Sequence, residues 1–557
     1  MTYGAAHARR AEARPWPGWP RWLLHFALPF AVLDALLTLE NVWPTLWARP
    51  AARLSFELAM ATLALDAWVR WRGMASARLL RGLALLTTFF VVTRYLEVTA
   101  SAVFGRQINL YWDGRHLFDV VRMGNTSAWQ LALGVLLALL TVYAMYLVAR
   151  RCWTAMAYQL AWRQPALAVG AAGLVLLAVF SLQGVGGRDT RWFFSMPVSP
   201  IIARQAGLLA VQLSPGRTAA QLTPSPAFDR NLGALGGADV LLLFAESYGV
   251  CTLDDPRQAA ALAPARAEFE RRLAAGGRAV VSARVRSTTY AGASWLAHSA
   301  LLSGVDTRDP GNYELLLATR RPTLVSDFKA HGWRTVSWMP GLQRPWPEGS
   351  FYGFDRYADA DGMGYSGTAF GHWRIPDQAS MALLQAQELA QPASGRAPRF
   401  VVFPTLASHA PFRPLAPPVA DWSRLLRADA YTPEQVAQAR AQPISWLEPV
   451  PAYLESLAYT FGWLGDYLHG KAPPKMLTIV LGDHQPLASV SGPGASWEVP
   501  IHIISADPAL LKRFEALGFT PGLLPPQGPS IYMPDLTRLL LRAFELPTPP
   551  GPVPATS

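Results

Sequence analysis

Hydrophobic and polar positions change their rhythm once along this chain, near residue 185. Before that point, five apolar stretches run over residues 22–43, 53–71, 79–99, 128–149 and 165–184. Each approaches the ~20 apolar residues that a helix needs to cross a bilayer, so five membrane helices are expected within 22–185, behind a short N-terminal segment, 1–21. After that point the apolar runs shorten and alternate with helical periodicity. Strands are expected at 239–245, 278–285, 334–338, 399–403, 476–481 and 500–504, and helices at 257–275, 322–331, 376–392, 447–469 and 534–545. Such alternation implies a largely parallel sheet with helices on both faces, and residues 237–545 are enough for one core of that kind. Between the halves, residues 186–236 are rich in Gly, Pro and Ser around one amphipathic stretch, Ile201 to Leu213. They read as a linker lying near the membrane surface. The end of the chain, 546–557, is a Pro-rich tail, and the sequence has no internal repeat.

Composition adds an orientation. The 557 residues are 51% hydrophobic and only 16% charged, against the ~25% usual in soluble domains. One set of loops holds Arg9, Arg10, Arg14, Arg21, Arg70, Arg72, Arg78, Arg81, Arg150, Arg151 and Arg163, eleven in all; the alternate loops hold Arg49, Arg53, Arg106, Arg115 and Arg122, five in all. Basic residues favour the cytoplasmic side. The N-terminus is therefore expected in the cytoplasm, and an odd number of spans carries everything after residue 185 outside. The net charge of +11 is assigned to this topology and not to nucleic acid. The first apolar run is long, led by Arg and without a small-residue cleavage site, so no cleavable signal peptide is expected. Cys152 and Cys251 fall on opposite sides of the membrane and cannot pair, which leaves the exported domain without a disulfide framework.

The candidate chemistry sits at two strand ends. Residues 476–484, Met-Leu-Thr-Ile-Val-Leu-Gly-Asp-His, are an apolar run ending in a carboxylate and an imidazole, and Val240 to Ala245 ends in Glu246. Ligands of open α/β sheets bind in the crevice at the carboxyl ends of strands. A lone Glu in such a place caps a helix or forms an ion pair, and a lone Asp-His is a solvated turn. Together, Glu246, Asp483 and His484 point to a metal site, whose oxygen and nitrogen donors suit Zn²⁺ or Mn²⁺, with Mg²⁺ as the alternative.

With these motifs the chain resembles the membrane-bound branch of the alkaline-phosphatase superfamily that holds lipoteichoic acid synthases, phosphoglycerol transferases and phosphoethanolamine transferases. The resemblance covers nearly the whole chain. It implies a five-helix transmembrane domain followed by an external α/β sulfatase-like domain. The family pattern of a Glu after the first strand, a nucleophilic Thr, a His in Ser-His-x-Pro-Phe and a late Asp-His pair falls here on Glu246, Ser294, His409 and Asp483 with His484. Ser294 is placed by counting back from Leu301-Leu302-Ser303-Gly304, and a serine hydroxyl beside a metal can act as threonine does. Thr288 and Thr289 are the alternative nucleophiles, with strand-end β-propensity as their plain reading. Formylglycine maturation, which needs Pro and Arg soon after the modified residue, is disfavoured by Trp295-Leu296-Ala297-His298.

The same resemblance implies that His409 holds substrate phosphate or acts as general acid, and that Trp346 lines a headgroup pocket with Arg344 available to phosphate. Glu348 stands where the family carries an Arg. Trp373 and Asp377 match a stretch read as structural, and His298, one helical turn after Ser294, is read as packing. In the membrane half, Asp34 is expected to pair with Arg94 at a depth near Glu97. The function so implied is a metal-dependent transferase that moves phosphoglycerol or phosphoethanolamine from a phospholipid donor to an extracytoplasmic glycan or lipid acceptor through a phospho-enzyme. The missing disulfides lean it toward phosphoglycerol. A membrane-anchored phosphodiesterase, phosphatase or sulfuric ester hydrolase, and a non-catalytic envelope assembly protein, are the rival readings.

Overall fold

The computed structural model describes residues 18–43, 45–104, 107–115, 127–182, 193–213, 219–343 and 346–546. Arg9, Arg10, Arg14, Arg106, Arg122, Arg344 and the tail after residue 546 lie outside the described residues. The chain separates into two compact units, Met1–Leu213 and Ser214–Ser557.

In the first unit each of the five apolar stretches contains a helix. Helix α1 covers residues 19–37 and contains a π-helical turn, Leu23–Ala27; α2 is Phe56–Arg72, α3 Ala77–Phe104, α4 Ala128–Leu160 and α5 Arg163–Ser181. Among the described residues, three segments are both long and apolar enough to cross a membrane: Pro20–Leu37, Ala77–Phe104 and Ala128–Leu160. The other two fall short, because α2 has 17 residues and the apolar part of α5 is confined to Ala166–Ser181. Helix α4 does not stop at residue 149. Trp153, Met156, Ala157 and Leu160 continue its apolar stripe at helical spacing and are buried, which sustains the helix, and Trp153 Nε1 donates to Thr87 Oγ1 of α3 at 2.9 Å. The amphipathic stretch forms α6, Ser199–Leu213, whose Arg204 clasps Glu97 at 2.7 and 2.8 Å.

The expected Asp34–Arg94 pair is not formed. Asp34 Oδ1 accepts from the Ser55 N–H at 2.8 Å, while Arg94 donates to the Leu39 and Met196 carbonyls at 2.8 and 3.3 Å. Helix ends leave backbone groups without intrahelical partners. Ser55 caps α2 and Leu39 follows α1, so each ionisable group satisfies a backbone orphan.

The second unit is built on a nine-stranded sheet. Its strands are β1 Val240–Ala245, β2 Ala279–Arg286, β3 Arg334–Trp338, β4 Arg356–Ala358, β5 Arg399–Pro404, β6 Leu477–Gly482, β7 Glu498–Ser505, β8 Thr520–Pro521 and β9 Ile531–Tyr532. They lie in the order β8-β2-β7-β6-β1-β5-β3-β4, with β9 beside β2. Strands β6, β1, β5, β3 and β4 are parallel, and β7 runs antiparallel to both β6 and β2. The sheet is thus largely parallel, as expected, with β7 and the two-residue β8 reversed. A parallel return needs a crossover of a dozen or more residues, usually helical, and residues 483–497 hold only the four-residue helix Ala488–Ser491.

Alternation along β1 sends Leu241 and Leu243 into one core and Leu242 and Phe244 into the other. Helices α7 (Pro256–Ala275), α10 (Asp377–Leu384) and α11 (Val450–Gly470) cover the first face; α8 (Ser294–Ser303), α9 (Leu324–Ala330) and α12 (Met533–Phe544) cover the second. A strand covered on both faces reads as an unbroken apolar run, so its first charged residue marks the edge of the sheet. Parallel register sets Ala245 opposite Gly482 and Phe244 opposite Pro404. Glu246, Asp483 and Thr405 therefore emerge side by side.

Glycine at 482 is required by this close approach, since a Cβ there would lie 2.0 Å from the Tyr248 carbonyl oxygen and 2.9 Å from Val499. Gly482→Ala should destabilise the protein by about 1–3 kcal/mol, the usual range for overpacking. A thermal melt of the full chain that does not move would refute the tightness of this junction.

Candidate metal centre

Glu246 and Asp483 are buried, 6% and 0% exposed, and buried carboxylates need partners. Asp483 Oδ1 accepts from the N–H groups of Ser247 and His484, both at 2.8 Å, and Glu246 Oε1 accepts from Ser247 Oγ at 2.9 Å. Ser247 reaches both acids because its backbone is left-handed, φ 54°. Tyr453 of α11 steadies that turn by donating to the Ser247 carbonyl at 2.8 Å. From β5, Thr405 Oγ1 accepts from the Glu246 N–H at 3.1 Å and Ser408 Oγ donates to the Glu246 carbonyl.

His484 Nδ1 lies 2.8 Å from the Gln485 carbonyl. A carbonyl only accepts, so Nδ1 carries a proton and Nε2 is the ring nitrogen turned to the cluster. That atom is 3.2 Å from Ser294 Oγ, 3.5 Å from Glu246 Oε1 and 3.7 Å from Asp483 Oδ2.

Ser294 arrives from the neighbouring loop. Chain leaving β2 is tied down where Ser287 Oγ donates to the Asp483 carbonyl and the Ala291 N–H donates to the Gln485 carbonyl at 3.1 Å. Ala291, Gly292 and Ala293 then take φ values of 54°, 134° and 58°, and α8 begins at Ser294. Its Oγ stands 3.3 Å from Glu246 Oε2 as well as beside His484, at the helix end whose dipole favours negative charge. Thr289 instead donates to the Gly292 carbonyl at 2.6 Å, and Thr288 Oγ1 is buried without a hydrogen-bond partner. Of the three hydroxyls weighed as nucleophile, Ser294 is the one brought to the cluster.

His298 packs its ring on Phe244 at 4.0 Å, as its spacing implied, yet it also sets Nε2 3.9 Å from Asp483 Oδ2. Burial pushes its pKa down to about 4 against the pull of Asp483. Burial first, and then the charge of Glu246, push Asp483 up to about 6. Asp483 Oδ2 and His298 Nε2 both lack a hydrogen-bond partner.

These observations fit a divalent cation. Among the described residues, Glu246, Asp483 and His484 form a group able to hold one, with ligand atoms within 4.8 Å of one another and all three buried. Separations of 3.2–3.7 Å around His484 Nε2 match the ~3.3–3.8 Å between tetrahedral ligands set ~2.0–2.3 Å from one ion. A cation would engage the orphaned Asp483 oxygen and relieve the repulsion between the two acids.

His409 follows β5 on a loop. Its Nδ1 donates to the Ala410 carbonyl at 2.7 Å and its ring meets Trp373 edge-on at 5.1 Å. Burial lowers its pKa, and His484 acts in the same direction. Asp377 at the start of α10 accepts from the Leu406 and Ala407 N–H groups at 2.8 and 2.9 Å. The two residues read as structural thus serve the His409 loop.

Trp346 packs against Tyr352 and Tyr357, with ring centroids at 5.8 and 6.4 Å, and borders a cavity of about 90 Å³ with Asp359. No described hydrogen bond or ring contact joins it to the cluster, and its companion Arg344 lies outside the described residues. Sequence reasoning missed Ser247, Thr405 and Tyr453. Only Ser247 carried a signal, its adjacency to Glu246.

No family model matches the chain, and no curated protein matches it in sequence. Solved structures do match. A protein in the alkaline phosphatase superfamily from Vibrio parahaemolyticus aligns at 14% identity over 61% of this chain and 74% of its own, TM-score 0.35. The phosphoglycerol transferase GacH of Streptococcus pyogenes, in complex with sn-glycerol-1-phosphate, aligns at 11% identity over 64% and 88%, TM-score 0.35. The lipoteichoic acid synthase LtaP from Listeria monocytogenes aligns at 12% identity over 52% and 69%, TM-score 0.33.

Proposed function

We propose that this protein is an envelope phosphotransferase that takes a phosphorylated headgroup, phosphoglycerol in first place and phosphoethanolamine in second, from a phospholipid and passes it to a glycan or lipid acceptor. The observation that carries this reading is the Ser294 hydroxyl, held 3.3 Å from Glu246 and 3.2 Å from His484 at a helix N-terminus.

Glu246, Ser294, Asp483 and His484 would hold one Mn²⁺ or Zn²⁺, which when bound supplies charge neutralisation and a lowered alcohol pKa. The protein's own groups do the rest. Ser294 Oγ passes its proton to Glu246 and forms a bond to the donor phosphorus as the bond to the diacylglycerol oxygen breaks. His409, protonated when a phosphate lies beside it, gives its proton to that leaving oxygen. The N-terminus of α8 stabilises the charge that accumulates on the phosphoryl oxygens. The acceptor hydroxyl then attacks the phosphoserine from the opposite side and gives its proton to the now neutral His409, while the bond from phosphorus to Ser294 Oγ breaks and Ser294 takes its proton back from Glu246. Trp346 and Arg344 remain the proposed contacts for the headgroup.

Ser294→Ala should abolish turnover with fold and membrane insertion intact, since one partly exposed hydroxyl contributes little to stability. Ser294→Thr should retain measurable activity. Incubation with phospholipids labelled in different headgroups should leave one label on Ser294, and release of that label to water alone would favour the hydrolase. Full activity in the alanine variant would overturn the assignment.

The loop clamp predicts a pH dependence. Burial first, then Glu246, push Asp377 up to about 7, whereas an unfolded Asp titrates near ~3.9. From about pH 4 to about pH 7 the native state holds a proton that the unfolded chain has lost, so this group's contribution to stability falls as pH rises through that window. Asp377→Asn should flatten the decline in metal-free protein and, by offering one acceptor for two N–H groups, lower kcat roughly tenfold or more. An unchanged pH slope would remove Asp377 from this role.

For topology we propose five spans in an inner membrane, the N-terminus cytoplasmic and the second unit periplasmic. A reporter fused after residue 200 should be external and one at residue 157 cytoplasmic; the reverse pattern would invert the scheme.

A further inference from the structure

The first unit carries a groove that the proposed chemistry does not use. It encloses about 690 Å³, and its wall includes His25 from the π-helical turn of α1 and Arg150, Arg151, Thr154, Tyr158 and Gln159 of α4. Steps of three and four residues put the α4 members on one helical face. Among the described residues no Asp or Glu lines the groove. Elsewhere in this unit Arg70 is matched with Asp66 and Arg204 with Glu97, while buried Arg94 is satisfied by two backbone carbonyls. Arg150 and Arg151 are exposed, and no described carboxylate pairs with either. Gln159 supplies an independent sign of a ligand. It is 3% exposed, it lines the groove, and its Oε1 is buried without a hydrogen-bond partner, a state that costs about 1–3 kcal/mol unless a donor arrives. π-Helical turns such as the one bearing His25 recur at functional sites.

The position of the groove selects its occupant. Helix α4 has 33 residues, roughly 50 Å at 1.5 Å per residue, against a hydrocarbon core of ~30 Å. Its apolar span ends at residue 149, so the end from Arg150 onward stands at headgroup depth. Guanidinium forks match phosphate oxygens, and basic pockets between membrane helices suit anionic headgroups. The chain's own N-terminal segment carries Arg9, Arg10 and Arg14, the same charge as the groove.

We propose that this groove binds an anionic phospholipid whose headgroup bears a glycerol hydroxyl, the phosphate lying on Arg150 and Arg151 and the hydroxyl donating to Gln159. The site is independent of the chemistry at Ser294. It is tested with the full chain in detergent, in a Ser294→Ala background so that turnover does not enter. Short-chain phosphatidylglycerol and phosphatidylcholine with identical acyl chains are titrated, each with and without millimolar inorganic phosphate.

Phosphatidylglycerol should bind more tightly. R150Q/R151Q should weaken it roughly 30-fold, the effect of two charges at ~1 kcal/mol each, and leave phosphatidylcholine unchanged, while R150K/R151K keeps most of the affinity. Gln159→Leu, which removes the buried acceptor, should weaken phosphatidylglycerol several-fold and decides the matter if the double variant fails to fold. Equal affinity for the two lipids, an unaltered affinity in well-folded R150Q/R151Q or Gln159→Leu, or displacement by inorganic phosphate would each overturn the proposal.

Discussion

Two carboxylates buried beside each other set the terms for the rest of this structure. Glu246 and Asp483 leave adjacent parallel strands at paired positions, and neither can move away without breaking a sheet that is covered on both faces. Such a pair is unfavourable by charge and by desolvation, and the raised pKa of Asp483 records both causes. What surrounds the pair is an answer to that cost. The Ser247 and His484 N–H groups and the Ser247 hydroxyl occupy three of the lone-pair positions, the imidazole of His484 turns Nε2 inward, and one carboxylate oxygen stays open. The arrangement is incomplete for protein alone and complete with a cation.

Assembling that surround strains the backbone. Ser247, Ala291 and Ala293 lie in the left-handed region without being glycine, at a cost of order 1–2 kcal/mol each. Each sits one residue from a cluster member or within the short turn that delivers Ser294. The strain persists because the strand ends are held by ladder hydrogen bonds and by tethers from other elements: Tyr453 on Ser247, Gln485 on Ala291 and Ser287 on Asp483. Rigid scaffolding at the sheet edge thus converts a costly loop geometry into fixed distances between donors.

Most of this scaffold was legible in the sequence because apolar runs report burial directly. The six main strands and five helices of the second unit fall where hydrophobic periodicity puts them, with ends shifted by at most three residues except at α10, whose α-helical part stops at Leu384 and gives way to a π-helical turn. The reversal of β7 was not legible, since a run such as Glu498–Ser505 has the same apolar pattern whichever way it pairs. The short edge strands β4, β8 and β9 carry too few residues for a pattern. Glu246, Asp483 and His484 announced themselves by ending apolar runs. Ser294 did not, because nothing local distinguishes Ala-Ser-Trp; it was reached through a resemblance in order and spacing. The tethers are the least legible part. Tyr453 lies on a helix about two hundred residues from Ser247, and no local rule connects them. In the first unit, Asp34 and Arg94 look like natural partners by charge, yet backbone orphans at helix ends, which a list of charged residues does not display, take both.

His409 stands on different ground from the cluster. Glu246, Asp483 and His484 are bound into the sheet edge by backbone N–H groups that do not titrate, whereas the loop carrying His409 hangs on Ser408 and on one carboxyl, that of Asp377. That carboxyl titrates near neutrality because it is buried and faces the charge of Glu246, so the clamp feels the charge state of the centre it serves. A cation bound beside Glu246 would lower the local negative potential, favour the ionised Asp377 and strengthen its two hydrogen bonds to the loop, since a carboxylate accepts more strongly than a neutral acid. On the proposed reading, loading the centre would also help to fix the His409 loop, through a carboxyl that is hydrogen-bonded to the loop backbone.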